Sequence, residues 1–162
     1  MHRTIVITLT LLAVVFIYPS MIPAGDPHRD SLKNKGETEI RLSGHIQKIL
    51  SAEMNGIQKG MTLLAIAIPA GHWDDIAGTA EKMQESYIMN RKLSHEEREE
   101  LHHSLPPGFQ ALDREFHDTA GLLRQAAGAH NRELVTAYFC KLNETCVTCH
   151  SLYAAKRFPD FK

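Results

Sequence analysis

Near its C-terminus the chain reads Cys146-Val147-Thr148-Cys149-His150. Two thiols three positions apart, followed at once by an imidazole, hold more latent chemistry than any other stretch. On an α-helix each residue advances about 100°, so relative to Cys146 the Cys149 side chain lies at about −60° and His150 at about +40°. All three fall on one face, within an arc of about 100°. Thiols so placed can add to the two vinyl groups at a porphyrin edge, and the adjacent imidazole can reach the iron from one side. C-x-x-C-H is the pattern of covalent c-type haem attachment, and imidazole is a suitable axial ligand for haem iron.

Three other readings use the same residues. A zinc site needs four ligands. Cys140 would have to be the fourth, and it lies six residues before Cys146, about 240° around the helix. A thioredoxin-like redox pair usually opens a helix after a strand, and no strand-like alternation precedes this one. A structural disulfide is the third. The motif, an export signal and an all-helical frame agree best with haem.

The export signal is the N-terminus. The sequence opens with Arg3, runs apolar from Ile5 to Ile17, and continues with small and turn-forming residues to Ala24. That order matches a secretory signal peptide over 1–24; the run is shorter than the ~20 residues a spanning helix needs, so no stable membrane span is expected in the mature chain. Residues 25–36 carry Gly, Pro, Asp, Asn and Lys without apolar period and read as a flexible leader. Export places the protein in an oxidising compartment, here the periplasm. The three cysteines are too few and too crowded for a disulfide scaffold. A formal net charge of −1 offers nothing to nucleic acid.

The elements that must position the motif follow helical periods. A first helix is expected over about Glu37 to Ala67, with a seam of Leu50, Met54, Ile57, Met61, Leu64 and Ile68, ended by Pro69 and Gly71. A second runs from about Trp73 to Lys92 on Ile76, Ala80, Met83 and Tyr87. A shorter charged helix starts at a capping box, Ser94 with Glu97, and stops at Pro106-Pro107. A third long helix spans about Phe109 to Ala127, through Phe116 and Leu123. A fourth begins at Asn131, a good N-cap, passes through Cys146 and Cys149, and ends before Pro159. The fold expected is all-α: an antiparallel up-down-up-down four-helix bundle over 37–158, with haem on the last helix.

C-x-x-C-H-x-x-Y (Cys146, Cys149, His150, Tyr153) at the end of a four-helix chain resembles the class II c-type cytochromes, the cytochrome c-prime group and its low-spin relatives. The resemblance covers roughly residues 38–158. It implies one haem c, joined by thioethers to Cys146 and Cys149, with His150 as the proximal ligand and Tyr153 beside the cofactor. The family usually has Arg directly after the aromatic residue; here that place is Ala154, with Lys156 and Arg157 shortly after. The family also implies redox partner proteins and, in many members, homodimers through the first two helices.

On the opposite face of the iron the family places a residue early in the first helix. It is Met in low-spin electron carriers and apolar in the c-prime proteins. Matching "IQKILSAEM" puts Gln47 there, and extending the seam backwards from Met54 and Leu50 reaches Gln47 as well. Gln47 either lines a distal pocket or sits at a wet helix end. Met54 and Met61 read as core. His45, His102 and His103 read as solvent-facing, and His117 as a partly buried histidine with an ordinary hydrogen bond or a haem-edge contact. Cys140 reads as an inert buried thiol or, if exposed, an interchain link.

Two functions therefore stand as expectations: one-electron transfer through the haem, and binding of small gases such as NO or CO at an open iron face. No Ser-His-Asp frame or phosphate loop points to an enzyme.

Overall fold

A computed structural model of the chain describes residues 40–87 and 93–161. The expected signal peptide, the leader and the start of the first helix at 37–39 lie outside the described residues, as do 88–92; the second helix, expected to reach about Lys92, already ends at Glu85, where Ser86 caps it.

Among the described residues the structure is all-helical, with five helices and no strand. α1 spans Gly44–Ala70, α2 Trp73–Glu85, α3 His95–Ser104, α4 Pro107–Gly128 and α5 Arg132–Tyr153. α2 packs on α4 and on α1, and α4 packs on α5; α1 and α5 touch only lightly. No described helix is long and apolar enough to cross a membrane.

Local chemistry sets each boundary. The Ser43 hydroxyl accepts the Ile46 N–H and caps α1, which therefore begins later than the apolar period suggested. Pro69 does not end α1; the helix runs through it to Ala70. Termination falls to Gly71, whose φ of 67° is the left-handed conformation that closes a helix C-terminus. His72 N–H then bonds the Ala67 carbonyl. At α3 both halves of the expected capping box form, Glu97 N–H to Ser94 Oγ at 3.2 Å and Ser94 N–H to Glu97 Oε2 at 2.7 Å. Leu105 is extended, as a residue before proline prefers, and Pro107 opens α4 at the position where a missing N–H costs nothing. Asn131 caps α5 through the Leu134 N–H at 3.0 Å.

Two apolar clusters hold the helices. In the larger, Leu64 of α1, Ile76 of α2, Leu123 of α4 and Leu142 of α5 are all fully buried, each contributing about 1.5–3 kcal/mol. The smaller joins Ile46 of α1, Leu101 of α3, the linker residue Leu105 and Phe109 of α4. α3 thus has an inward residue, Leu101, on an otherwise charged surface. Its carboxylates also tie it to the start of α1, Glu100 to the Ser43 N–H and Glu97 to His45 Nε2 at 2.7 Å.

The seam of α1 differs from the sequence expectation. Its buried residues are Ile46, Glu53, Ile57, Gly60, Leu64 and Ala67. Ile57 and Leu64 were expected; Met54, Met61 and Ile68 lie at the rim of the larger cluster instead. A helix packed on several neighbours turns its inward face to the middle of their contact, not to its own most apolar stripe, and here that middle admits Gly60 and Ala67. Leu63 and Ile66 are left exposed.

Candidate haem site

Thr145 on α5 is buried and Val147 exposed, so Cys146, Cys149 and His150 fall between them as a half-buried set on the inward side of the helix. Neither thiol is in a disulfide. Cys146 packs on the larger apolar cluster, Cys149 on the smaller. That smaller cluster contains Ile46 from α1 and Phe109 from α4, and Ile49 and Leu50 of α1 and Tyr153, one turn further along α5, pack against it as Cys149 does.

The electrostatics distinguish the readings of this donor set. Burial pushes the Cys149 thiol up to about 12, helped by the Asp113 carboxylate and by Cys146. Burial also raises Cys146. A redox-active cysteine pair requires the reverse, a thiolate favoured by its surroundings. His150 is lowered by burial and then by the Arg157 guanidinium, so it is neutral at pH 7, the form that ligates a metal. Among the described residues no three His, Cys, Asp or Glu side chains converge in a way that would hold a bare metal ion. Two unpaired protonated thiols, a neutral imidazole and apolar walls fit an apolar macrocycle carrying its own metal.

Tyr153 stands edge-on to Phe109 with ring centroids 5.5 Å apart. Its hydroxyl lies over Gly108, where a Cβ would come within 2.5 Å of the oxygen, so this approach requires glycine. Burial, then the Cys149 charge, raises its phenol. Beyond α5 the chain turns back, with Phe158 N–H bonded to the Ala154 carbonyl, and Phe158 stacks on His150. Arg157, exposed, sits 5.8 Å from the Phe158 ring. Nothing in the sequence motif pointed to Phe158.

Gln47 is exposed on α1, while its neighbour Ile46 is fully buried. The reason is the seam just described: the inward stripe passes through Ile46, so Gln47 turns outward. The residues of α1 in or against the cluster on which Cys149 packs include Ile46, Ile49 and Leu50. His45 is exposed and paired with Glu97. Met54 belongs to the same cluster as Cys146. His102 and His103 are exposed, and so is Cys140, which is not the buried thiol of one sequence reading.

His117 is buried at 3% exposure. Its Nδ1 lies 2.7 Å from the Met83 carbonyl, its Nε2 3.4 Å from Glu53 Oε1 and 3.6 Å from Asp113 Oδ1. Burial would lower its pKa, but the Asp113 and Glu53 carboxylates outweigh burial and raise it to about 9. Glu53 and Asp113 are themselves buried. Their helical spacing was the available signal: Asp113 and His117 are four apart beside Leu112 and Phe116, and Glu53 is four before Ile57.

Comparison of the chain with protein-family models, with curated proteins and with solved structures finds no match.

Proposed function

We propose that the protein is an exported monohaem c-type cytochrome of class II type, in which one haem is bound by thioethers to Cys146 and Cys149 with His150 as proximal ligand. The observation that carries this reading is the half-buried thiol–thiol–imidazole set on one face of the last helix, backed by apolar clusters. In this reading α1, α2, α4 and α5 form the up-down-up-down bundle, and α3 is an added short helix. The ring contact of Phe109 with Tyr153 and the ion pair of Glu115 with Lys141 support an antiparallel α4 and α5. Residues 1–24 would direct export to the periplasm and then be removed.

When bound, haem supplies a one-electron ferric–ferrous couple. The chain's residues fix its place and surroundings. Cys146 and Cys149 anchor it covalently, His150 is presented as a neutral ligand, and Phe158 backs the imidazole. Ile46, Ile49, Leu50 and Phe109 exclude water from the Cys149 side, and a low-dielectric surrounding tunes the potential. The function that follows is one-electron transfer between redox partner proteins.

A second reading is favoured by one observation. The α1 residues that share the smaller cluster with Cys149, Ile46, Ile49 and Leu50, are aliphatic, and none of them can bond to iron. Such a wall suits an iron face open to NO or CO.

The deciding experiment is an absorption spectrum of the protein made with a haem-attachment system, oxidised and reduced, with and without CO. A low-spin spectrum unmoved by CO supports the electron carrier and directs the ligand search to Met54. A high-spin spectrum converted by CO supports gas binding. A colourless protein overturns both readings.

A further inference from the structure

The segment after α5 brings a cation to the side chain proposed to bind iron. The Ala154 carbonyl accepts two backbone N–H groups, from Arg157 at 2.9 Å and from Phe158 at 3.0 Å, so one turn fixes both residues. Phe158 is half-buried and stacks on His150 with ring centroids 4.4 Å apart. Phe161 meets the same phenyl ring at 6.0 Å. The exposed Arg157 guanidinium stands over that ring, 5.8 Å from its centroid, a cation–π contact. Other arginines of the chain find acids instead: Arg124 pairs with Glu81 and Arg132 with Glu133. Among the described residues no carboxylate forms an ion pair with Arg157.

A guanidinium keeps its proton under all conditions in which a protein stays folded, so this charge is permanent. Ferric iron carries one positive charge more than ferrous iron, and a neighbouring cation therefore repels the ferric state more. An exposed charge is screened beyond about 10 Å at ordinary salt, so it acts on a redox centre only if something keeps it close. The stack and the cation–π contact do that. They hold the guanidinium on the ring that itself lies against His150, and the Arg157 charge acts on that imidazole.

We propose that Arg157 is a positioning residue for the redox step: a permanent positive charge, held beside the axial imidazole by Phe158, that favours ferrous over ferric iron and so raises the reduction potential. The proposal rests on the haem reading above and deepens it, since it names a group outside the attachment motif that sets how readily the site accepts an electron. The electron comes from a one-electron donor protein and reduces ferric to ferrous iron. Arg157 keeps its proton and its charge throughout, and no bond forms or breaks. Phe158 supplies the place and Arg157 the charge.

The test is a spectroelectrochemical titration of the holoprotein at neutral pH and low salt. Arg157→Gln is expected to lower the reduction equilibrium constant by about two- to tenfold, the range that Coulomb's law gives for a partly screened charge at this separation. Arg157→Lys keeps the charge and is expected to restore most of it. The difference between wild type and Arg157→Gln is expected to shrink as salt is raised. Because Arg157 is exposed, the fold and the electron paramagnetic resonance signal of the ferric protein are expected to survive both changes. In a Phe158→Ala background Arg157→Gln is expected to lose most of its effect. Equal constants for wild type and Arg157→Gln overturn the proposal, as does Arg157→Lys behaving like Arg157→Gln, which would make the shape of the guanidinium decisive and not its charge. An effect undiminished in Phe158→Ala assigns the cation to the haem's own propionates and also overturns it. Covalent haem is scored separately by mass spectrometry, so a protein that acquires none fails the haem reading itself.

Discussion

The imidazole of His150 lies flat against the phenyl ring of Phe158, with centroids 4.4 Å apart and planes 11° from parallel. Phe158 belongs to no helix. It reaches His150 because α5 ends at Tyr153 and the following turn folds back through the Ala154 carbonyl. The stack fixes a side chain that a helix alone leaves free to rotate, and it does so on the residue proposed to bind iron. Phe158→Ala is expected to retain covalent haem but to change the electron paramagnetic resonance signal of the oxidised protein, because the axial imidazole loses its backing. Stability is expected to fall by about 0.5–1.5 kcal/mol beyond the lost burial, read by urea denaturation. Phe158→Tyr keeps the stack and is expected to restore both.

The two thiols contribute separately. Cys146→Ser and Cys149→Ser are each expected to leave one thioether, and the double variant none. Mass spectrometry of the denatured protein checks this directly: wild-type mass with haem, and the apo mass for the double variant. Circular dichroism is expected to show the helices retained in all three, since both thiols are half-buried at cluster edges and not at their centres.

His117 makes stability depend on pH in a defined direction. Its folded pKa of about 9 is above the ordinary value of 6.5. The folded protein therefore holds this proton more tightly than the unfolded chain does. The resulting stabilisation is fully present below about pH 6.5 and is lost as pH rises through about 9. The denaturation midpoint in urea is expected to fall over that window. His117→Leu is expected to abolish the fall and to cost about 3–5 kcal/mol, because the imidazolium facing the buried Glu53 and Asp113 carboxylates is lost.

Gly108 admits Tyr153. Gly108→Ala places a methyl 2.5 Å from the phenol oxygen, so the ring must shift away from Phe109. A loss of about 1–3 kcal/mol is expected from such overpacking. Adding Tyr153→Phe removes the offending oxygen and is expected to recover most of it, a non-additivity that a double-mutant cycle measures.

Gln47 is exposed, so Gln47→Leu is expected to leave the spectrum and the rate of CO binding unchanged. Leu50→Ala thins the apolar cluster on which Cys149 also packs and is expected to change them. Stopped-flow absorption with CO compares the two; an effect of Gln47→Leu alone would return that residue to the distal side.

The local signals in the chain were strong. The Ser94–Glu97 box, the Asn131 cap and the Pro106-Pro107 break each act within a few residues, and each fell where its chemistry put it. The face shared by Cys146, Cys149 and His150 is likewise a property of one helix, fixed by 3.6 residues per turn. The inward stripe of α1 was not legible, because it depends on where α2, α3 and α4 press on it. A stripe of Leu and Met looked more apolar than the one containing Glu53 and Gly60, and packing chose the latter.

What the sequence determined by itself, then, was the helical class, most of the boundaries and the thiol–thiol–imidazole set, since these rest on contacts between residues close in the chain. Tertiary structure alone decided that Gln47 faces out, that Phe158 backs His150, and that Glu53 joins Asp113 and His117. Glu53 and His117 are far apart in sequence, and Phe158 reaches His150 only because of how the chain folds after α5. No local propensity encodes such meetings; they arise when the helices bury their apolar faces together and carry everything else on those helices with them.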